Sequence, residues 1–382
     1  MSIFKTVKVE DVFELKRGFD ITQKEQKAGQ IPVISSSGIT SFHNKYKVEG
    51  PAVITGRKGT LGKVYYVDEN CWPHDTTLWV SDFKGNNERY IYYLLKQIDL
   101  KRYDVGGANP TLNRNHVHKL NITYTPDINY QKKIVDKLST YDLMIENNLR
   151  RIEKLVEAVD LIYKEWFVNF RFPGYEKCEF VDGNPQKWHI KNIVNSEYFS
   201  LIKENIVQFE GEKIYFATGD IKGISIEKEG QKITWENKPS RAKKQAEKSS
   251  VWVARMKEAY KILGFNPNMD EEVVSKIVLS TGFIGLKAKE DYYYEYLFSF
   301  VKSPYFIKQR DNFATGATQV ALTDTSFKKL KYLEPDRDIV IKYSKIVKPF
   351  VKKIVLLQEY NKKLEEAQQI LIPKIIKGEI EV

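Results

Sequence analysis

Two loops rich in glycine and small hydroxyl groups carry the side chains whose types and spacing could do binding chemistry. In the run Ser35-Ser36-Ser37-Gly38, hydroxyl and backbone N–H groups could donate to phosphate oxygens or base edges. In Gly56-Arg57-Lys58-Gly59-Thr60, a glycine frame projects two cations that could reach guanine O6 and N7 or a phosphate. A polar turn and a solvated hairpin tip are the alternative interpretations. The candidate nucleic-acid contacts in this half are Ser36, Ser37, Arg57, Lys58 and Thr60.

Comparable polar and cationic segments occur in the second half of the chain. Ser280-Thr281-Gly282-Phe283 parallels Ile54-Thr55-Gly56-Arg57 in residue type and order. Arg255, by contrast, is interpreted as a structural partner of Glu258. The candidate nucleic-acid contacts predicted here are Thr218, Lys222, Ser240, Arg241 and Thr281.

Motifs for catalysis on nucleic acid are missing from the sequence. Its Asn-Pro pairs lack the second proline of a methyltransferase target-base loop. The segment Gly56–Val64 has one residue too many between its glycines for a phosphate loop, and Val64 stands where a magnesium-binding hydroxyl belongs. His116 and His118 could chelate a metal, but no third ligand is evident. We therefore predict no catalytic residue, no cofactor and no metal site.

The charge of the chain favours a polyanionic partner. The 382 residues carry a formal net charge of +11 at pH 7. Residues 1–125 hold 18 basic and 13 acidic side chains, and residues 171–334 hold 26 and 22, so the excess lies mainly in two separate regions. An ordinary basic protein without such a partner is the alternative.

Targeting signals are not evident in the sequence. No apolar run is long enough to span a membrane, and residues 1–5 lack the apolar region of a secretory signal. Cys71 and Cys178 are too few for a disulfide framework. We expect a protein of the reducing cytoplasm with no membrane partner.

Short apolar runs separated by Gly, Pro, Asn and Asp predict a mixed module in residues 1–125 and a second in residues 171–334. Helices are predicted near Glu88–Gln97 and Asp291–Val301. The predicted strands are Ile31–Ile34, Ala52–Thr55, Val64–Val67, Thr77–Val80, Lys213–Phe216, Val251–Ala254 and Lys276–Ser280.

Apolar residues at seven-residue intervals predict two long helices, in residues 126–170 and 335–382, whose seams superpose at an offset of 212 residues. Positions three residues before each seam residue are mixed, with Asp142 and Leu149 among them in the first helix. An isolated helix of this length is marginal, so mutual packing is predicted, and the chain path then makes the pair antiparallel. The alternative packs each helix on its own module. The seam residues are Leu138, Ile145, Ile152, Val159, Phe350, Leu357, Leu364 and Leu371.

Ten segments carry a family resemblance through their order along nearly the whole chain. None is specific by itself, but the order combined with the repeated helix is. The segments are Pro32–Gly38, Gly56–Gly62, Trp72–Thr77, Gly106–Leu112, the helix start at Pro126, Pro239–Ala242, Val251–Lys257, Ser280–Gly285, Gly316–Leu322 and the helix end at Ile372–Ile375.

In this order the segments resemble the specificity subunit of type I restriction–modification systems. The resemblance implies an α+β fold in which two mixed α/β target recognition domains, 1–125 and 171–334, are separated by the two helices, packed as an antiparallel coiled coil with pseudo-twofold, circular organisation. Each domain would recognise half of a split double-stranded DNA target through the major groove. The helices would set the spacer and dock two methyltransferase (modification) subunits, to which restriction/translocase subunits add. The chain itself would be non-catalytic.

Two other classes of protein remain as alternatives from sequence. A self-contained DNA methyltransferase or nuclease could use these modules only for recognition, although the missing catalytic loop argues against it. A protein-binding coiled-coil adaptor would never touch DNA and would lack salt-dependent DNA binding.

Overall fold

The computed structural model describes residues 3–107, 109–316 and 320–382. By their contacts they form two compact units: unit 1 comprises Met1–Leu149 and Gln358–Val382, and unit 2 comprises Arg150–Leu357. Both long helices are divided between the units, whereas the sequence-based segmentation gives each helix a segment of its own. That segmentation stays a prediction.

Unit 1 is built mainly from short strands, as its apolar runs predict. Five consecutive buried residues form the strand Ala52–Gly56, typical of a strand covered on both faces. The helix Glu88–Lys96 begins where the Asn87 side chain accepts a hydrogen bond from the Tyr90 N–H at 3.0 Å. The strands are β1 Lys5–Lys8, β2 Glu14–Arg17, β3 Ile31–Ser35, β4 Gly38–His43, β5 Ala52–Gly56, β6 Val64–Val67, β7 Trp72–Pro73, β8 Thr77–Asp82 and β9 Asn121–Tyr124, and the helices are α1 Val9–Val12, α2 Glu88–Lys96 and α3 Arg114–His118.

The strands of unit 1 form a four-stranded antiparallel sheet in the order β2-β8-β5-β6. A three-stranded sheet, β4-β3-β7, includes a parallel pairing of β3 with β7. The main core packs α2 against the four-stranded sheet, and the core also includes Leu138, Ile372, Ile375 and Ile376 of the long helices. The sheet therefore holds the loops between its strands on a rigid base.

Two helices of 40 residues each, α4 Ile128–Phe167 and α9 Arg337–Ile376, lie within the predicted ranges. In unit 1 their contacts include a buried polar network. The Gln368 side-chain amide donates to Asp142 at 2.6 Å and accepts from the Lys96 ammonium at 3.1 Å, while the Tyr93 hydroxyl also donates to Asp142. Because Gln368 is only 2% exposed, the network fixes which residues of the two helices meet.

One of the mixed positions beside the predicted seam does not face the other helix. Leu149 at that position is 56% exposed. Its neighbour Asn148 makes the contact instead, donating to the buried Asn361 side chain at 2.8 Å. A helix with 3.6 residues per turn drifts against a strict seven-residue repeat, so the contact moves by one position. Asn148 meeting Asn361 and Asp142 meeting Gln368 give these helix segments an antiparallel order inside unit 1.

Unit 2 has more strands than unit 1 and an aromatic core. Ser303 caps a helix that has Pro304 at its first position, a combination suited to a helix start. The strands are β10 Phe180–Val181, β11 Asn184–Pro185, β12 His189–Asn192, β13 Phe199–Ile202, β14 Lys213–Phe216, β15 Ile221–Lys222, β16 Ser225–Ile226, β17 Gln231–Ile233, β18 Ala242–Gln245, β19 Ser250–Ala254, β20 Ile262–Phe265, β21 Ile277–Ser280, β22 Phe283–Ala288 and β23 Lys331–Glu334, and the further helices are α5 Glu271–Ser275, α6 Tyr294–Lys302, α7 Pro304–Phe313 and α8 Asp324–Phe327.

The sheets of unit 2 repeat and extend those of unit 1. One four-stranded antiparallel sheet has the order β13-β22-β19-β20, and a second has the order β17-β14-β21-β18 with a parallel pairing of β14 and β21. The Trp252 side chain is fully buried against Gly285, where a Cβ atom would come within 2.6 Å of its ring. Glycine is therefore required beneath the indole for close packing.

The long helices of unit 2 meet in the aromatic core. The Trp166 and Tyr343 rings lie 5.8 Å apart, and Val159 and Val347 are buried in the same cluster. The Lys302 ammonium, on α6, bonds to the Asp160 carboxylate at 2.7 Å. Of the predicted seam residues in this unit, Val159 and Leu357 are buried and Ile152 and Phe350 are half-buried.

The segments Gly106–Leu112 and Gly316–Leu322, which contribute to the resemblance, include Ala108 and residues 317–319, which lie outside the described residues. No helix in the described part of the chain is long and apolar enough to cross a membrane.

Candidate nucleic-acid interface

Three segments of unit 1 converge where β5 ends. Backbone N–H groups of Arg57 and Lys58 donate to the Thr76 carbonyl at 2.8 and 3.0 Å, and the Leu112 N–H donates to the Arg57 carbonyl at 2.8 Å. The Ser36 N–H donates to the Thr76 hydroxyl at 3.3 Å. Candidate contacts that are distant in sequence are therefore brought onto one surface.

Side chains on this surface differ in what they can offer a ligand. Lys58 and Ser37 are exposed and Thr60 is half-buried, whereas Ser36 is buried and its N–H is already bonded. The Arg57 guanidinium, with 16% of the side chain exposed, donates through Nε to the Asp75 carbonyl at 2.9 Å. Arg57 therefore braces the loop, and Lys58 is its exposed cation.

The carboxylate of Asp75 is the electrostatic centre of this surface. It bonds to the Arg17 guanidinium at 2.7 Å and lies 3.8 Å from that of Arg57. Burial raises the pKa of Asp75, but hydrogen bonding to Arg17 and the charges of His74, Arg17 and Arg57 outweigh it and hold the pKa below its ordinary range. Burial and the neighbouring Arg17 lower the pKa of Arg57, and Asp75 opposes them. Asp75 is thus held as an anion that fixes two guanidinium groups.

Potential metal ligands are few near this surface. Asp20, His74 and Asp75 offer ligand atoms within 4.8 Å of one another. A cation there would compete with Arg17 and Arg57 for the Asp75 carboxylate, which makes the cluster a better partner for guanidinium groups than for a metal.

Of the histidine pair His116 and His118, the structure uses His118 in a hydrogen bond to the backbone. The His118 imidazole accepts a hydrogen bond through Nε2 from the Leu15 N–H at 2.9 Å. Burial lowers the pKa of His118, and nearby Glu10 and Glu14 oppose the shift. The ring nitrogen is used in holding α3 against β2.

Unit 2 brings three of its five predicted contacts together. The Thr281 N–H donates to the Arg241 carbonyl at 2.9 Å. Thr218 reaches the same place, since a Cβ on Gly282 would lie 2.9 Å from the Thr218 methyl group and 3.5 Å from the Arg241 guanidinium. Of these, Arg241 is the exposed residue.

The other two predicted contacts of unit 2 lie beside that group. Lys222 is exposed, with its ammonium 3.6 Å from the Glu227 carboxylate. It precedes Gly223, whose carbonyl accepts from the Ile262 N–H at 2.8 Å at the start of β20. Ser240 is exposed next to Arg241 in the chain.

The parallel drawn from sequence between Ser280–Phe283 and Ile54–Arg57 is wrong. By strand pairing β19 corresponds to β5 and β22 to β8, because Ala254 pairs with Phe283 as Gly56 pairs with Thr77. The residue that follows β19 is Arg255. Long-range strand pairing, which residue types alone do not reveal, sets the correspondence.

Arg255 is therefore the counterpart of Arg57, and its partner is not Glu258. Its guanidinium bonds to the Asp324 carboxylate at 2.6 Å and, through Nε, to the Phe283 carbonyl at 3.1 Å. Sequence reasoning assigned the residue a structural role but missed the loop that it begins. The available signal was a buried apolar strand followed directly by arginine in both halves.

Loops that present cations and hydroxyl groups beside a four-stranded sheet occur in both units, an arrangement that suits a polyanionic ligand. A family model described as "Type I restriction modification DNA specificity domain" matches residues 1–157.

Relatives extend the similarity over the full length. The type I restriction enzyme MjaIX specificity subunit of Methanocaldococcus jannaschii is 24% identical over 98% of this chain and 93% of that protein. The HindI specificity subunit of Haemophilus influenzae is 19% identical over 72% of each chain. The crystal structure of the S subunit from M. genitalium shares the fold, with a TM-score of 0.53 at 16% identity over 98% of this chain and 96% of that one.

The chain is therefore similar to type I restriction enzyme specificity subunits over nearly its whole length, and its residues 1–157 match the DNA specificity domain of such systems. The matched domain is by its description one of DNA specificity, and both relatives are named as specificity subunits of type I restriction enzymes. The mixed helix and strand fold expected from the resemblance is confirmed at this level.

Proposed function

We propose that the two modules, residues 1–125 and 171–334, each recognise one half of a bipartite double-stranded DNA target through the major groove. The observation that carries the proposal is the repeated loop base. In each unit an arginine, Arg57 or Arg255, follows the equivalent strand and is held by a carboxylate. A base-contacting loop needs such support, because base contacts require side chains held in position.

Candidate contacts divide into two kinds in this proposal. Exposed Lys58 and Arg241 are suited to guanine O6 and N7, or to phosphate. Hydroxyl groups and the remaining cation would mainly contact the backbone and fix the position of each module on the duplex. These are Ser36, Ser37, Thr60, Thr218, Lys222, Ser240 and Thr281. Arg57 would brace its loop, and the buried Ser36 would act through the conformation of its turn.

The helices α4 and α9, in segments 126–170 and 335–382, would act as an antiparallel coiled coil that sets the spacer. At about 1.5 Å per residue, a helix of 40 residues is about 60 Å long. Buried amides at Asn361 and Gln368 support a fixed register, since a polar pair out of register would be left unsatisfied. A fixed register would keep the distance between half-sites constant.

The same helices would dock two methyltransferase subunits, to which restriction/translocase subunits add. Exposed apolar side chains on α4 support a protein partner: Leu143, Met144 and Leu149 are 57%, 50% and 56% exposed. The cytoplasm stays the expected compartment, because the complex meets its DNA there.

Selection of bound sites from a random duplex pool, using the chain assembled with its modification subunits, tests the proposal. The expected outcome is a consensus in two parts with a spacer of constant length. A single uninterrupted consensus, or binding with no sequence preference, would contradict it.

A further inference from the structure

The loops that follow β5 and β19 have the same length and the same anchors. Seven residues, 57–63 or 255–261, connect each strand to the next. The Leu112 and Leu322 N–H groups donate to the carbonyls of Arg57 and Arg255 at 2.8 Å in both cases. The two loops therefore leave their sheets in the same way.

The correspondence extends two residues further. Lys58 forms an isolated antiparallel bridge with Thr111, and Met256 forms one with Ala321. The next N–H group, of Gly59 in one loop and Lys257 in the other, donates at 2.9 Å to the residue before that bridge partner. Met256 thus occupies in unit 2 the position that Lys58 occupies in unit 1.

Beyond that residue the loops diverge. The left-handed backbone conformation falls on Gly59 and Gly62, with φ of 81° and 84°, in one loop and on Glu258, with φ of 61°, in the other. In unit 2 the buried Arg310 guanidinium donates to the Ala259 carbonyl at 2.7 Å and is paired with Asp311. The hydrogen bond from Arg310 therefore anchors the loop that carries Met256 to the rest of unit 2.

The exposure of Met256 contrasts with its surroundings. Its side chain is 46% exposed, directly between Arg255 and Lys257 in the chain. A thioether gains little from water or from phosphate, so an apolar side chain held among cations suits a surface that offers both phosphate and an apolar group. In the major groove that apolar group is the C5-methyl of thymine.

We infer that Met256 contacts a thymine methyl group in the half-site recognised by the second module, at the position where Lys58 contacts a guanine or a phosphate in the other half. The inference rests on the proposed bipartite recognition and makes it specific. One backbone frame would serve two chemistries, an apolar contact in one half and a charged contact in the other.

Replacement of thymine by uracil in the selected site tests the inference, because uracil lacks only the methyl group. The half-site of the second module is the half whose preference is unchanged by Lys58→Ala. With the assembled complex, uracil at one position of that half should weaken binding about fourfold, the equivalent of one methyl group at ~0.8 kcal/mol. Met256→Ala should bind the thymine and uracil duplexes equally.

The matched control is Val273→Ala, which shortens another exposed apolar side chain of unit 2, 52% exposed on α5. It should retain the full penalty for uracil. A uracil penalty that persists in Met256→Ala, or a second half-site without any methyl-sensitive thymine, would overturn the inference while leaving bipartite recognition intact. Failure to select any two-part site would overturn both.

Discussion

Units 1 and 2 share one sheet and differ in the other. The four-stranded sheets β2-β8-β5-β6 and β13-β22-β19-β20 have equivalent strand orders and loop anchors. The companion sheets differ, with three strands in unit 1 and four in unit 2, although each contains one parallel pairing. In each unit the common sheet packs against a core that includes residues of the long helices, and this packing constrains the geometry of the sheet. The other sheet and the loop residues are free to differ between the two units.

The largest expected effect concerns the core beneath the common sheet of unit 2. Trp252 stands in β19 where Ile54 stands in β5, and both are fully buried. Trp252→Ala should lower the free energy of unfolding of unit 2 by about 3–5 kcal/mol, through lost burial and the cavity left behind. Denaturant unfolding followed by hydrogen exchange in each unit measures it. Trp235→Ala, at a half-buried indole, is the control and should cost clearly less.

A second prediction separates the two units by their DNA contacts. The double variant Arg57→Ala and Lys58→Ala removes one brace and one exposed cation of unit 1. Binding should weaken by about 1–3 kcal/mol, and sequence preference should relax in one half-site only. Competition binding against duplexes altered in either half measures this. Lys5→Ala, an exposed cation of β1, serves as control, and equal relaxation of both halves would contradict the assignment.

A third prediction concerns the polar seam of unit 1, which contrasts with the aromatic helix contacts of unit 2. Gln368→Leu should lower the free energy of unfolding by about 1 kcal/mol or somewhat more, since Asp142 and Lys96 lose a buried partner. Gln369→Leu makes the same change at the exposed neighbour and should be nearly neutral. Thermal unfolding of the two variants gives the comparison, and equal stability would count against a role for the buried network.

The smallest expected effect is a pH dependence of unit 1. The pKa of Asp75 is lowered in the folded state, so its stabilising contribution is fully present above the ordinary pKa of about 3.9 and is lost as pH falls through the lower folded-state value. Asp75→Asn should flatten the stability profile in that acid range by less than about 1 kcal/mol. Asp68→Asn, which removes a carboxylate whose side chain is 79% exposed, is the matched control.

Local patterns in the sequence predict the elements well, and long-range pairing explains what they miss. The seven predicted strands and both long helices form, because short apolar runs and heptad spacing are properties of neighbouring residues. The equivalence of Arg255 with Arg57 was missed because insertions change the offset between the halves, which is 198 residues here but 212 at Leu138 and Phe350. No single offset aligns both. Likewise, the exposure of Leu149 depends on which residue α9 presents to it.

Unit 1 is assembled from two stretches of chain separated by all of unit 2, and this has a consequence for synthesis on the ribosome. Ile372, Ile375 and Ile376 are part of its core, whereas unit 2 is continuous from Arg150 to Leu357. Domains generally fold as their residues become available during translation. We therefore expect unit 2 to reach its native state first, so that the unit whose residues emerge earliest is completed last.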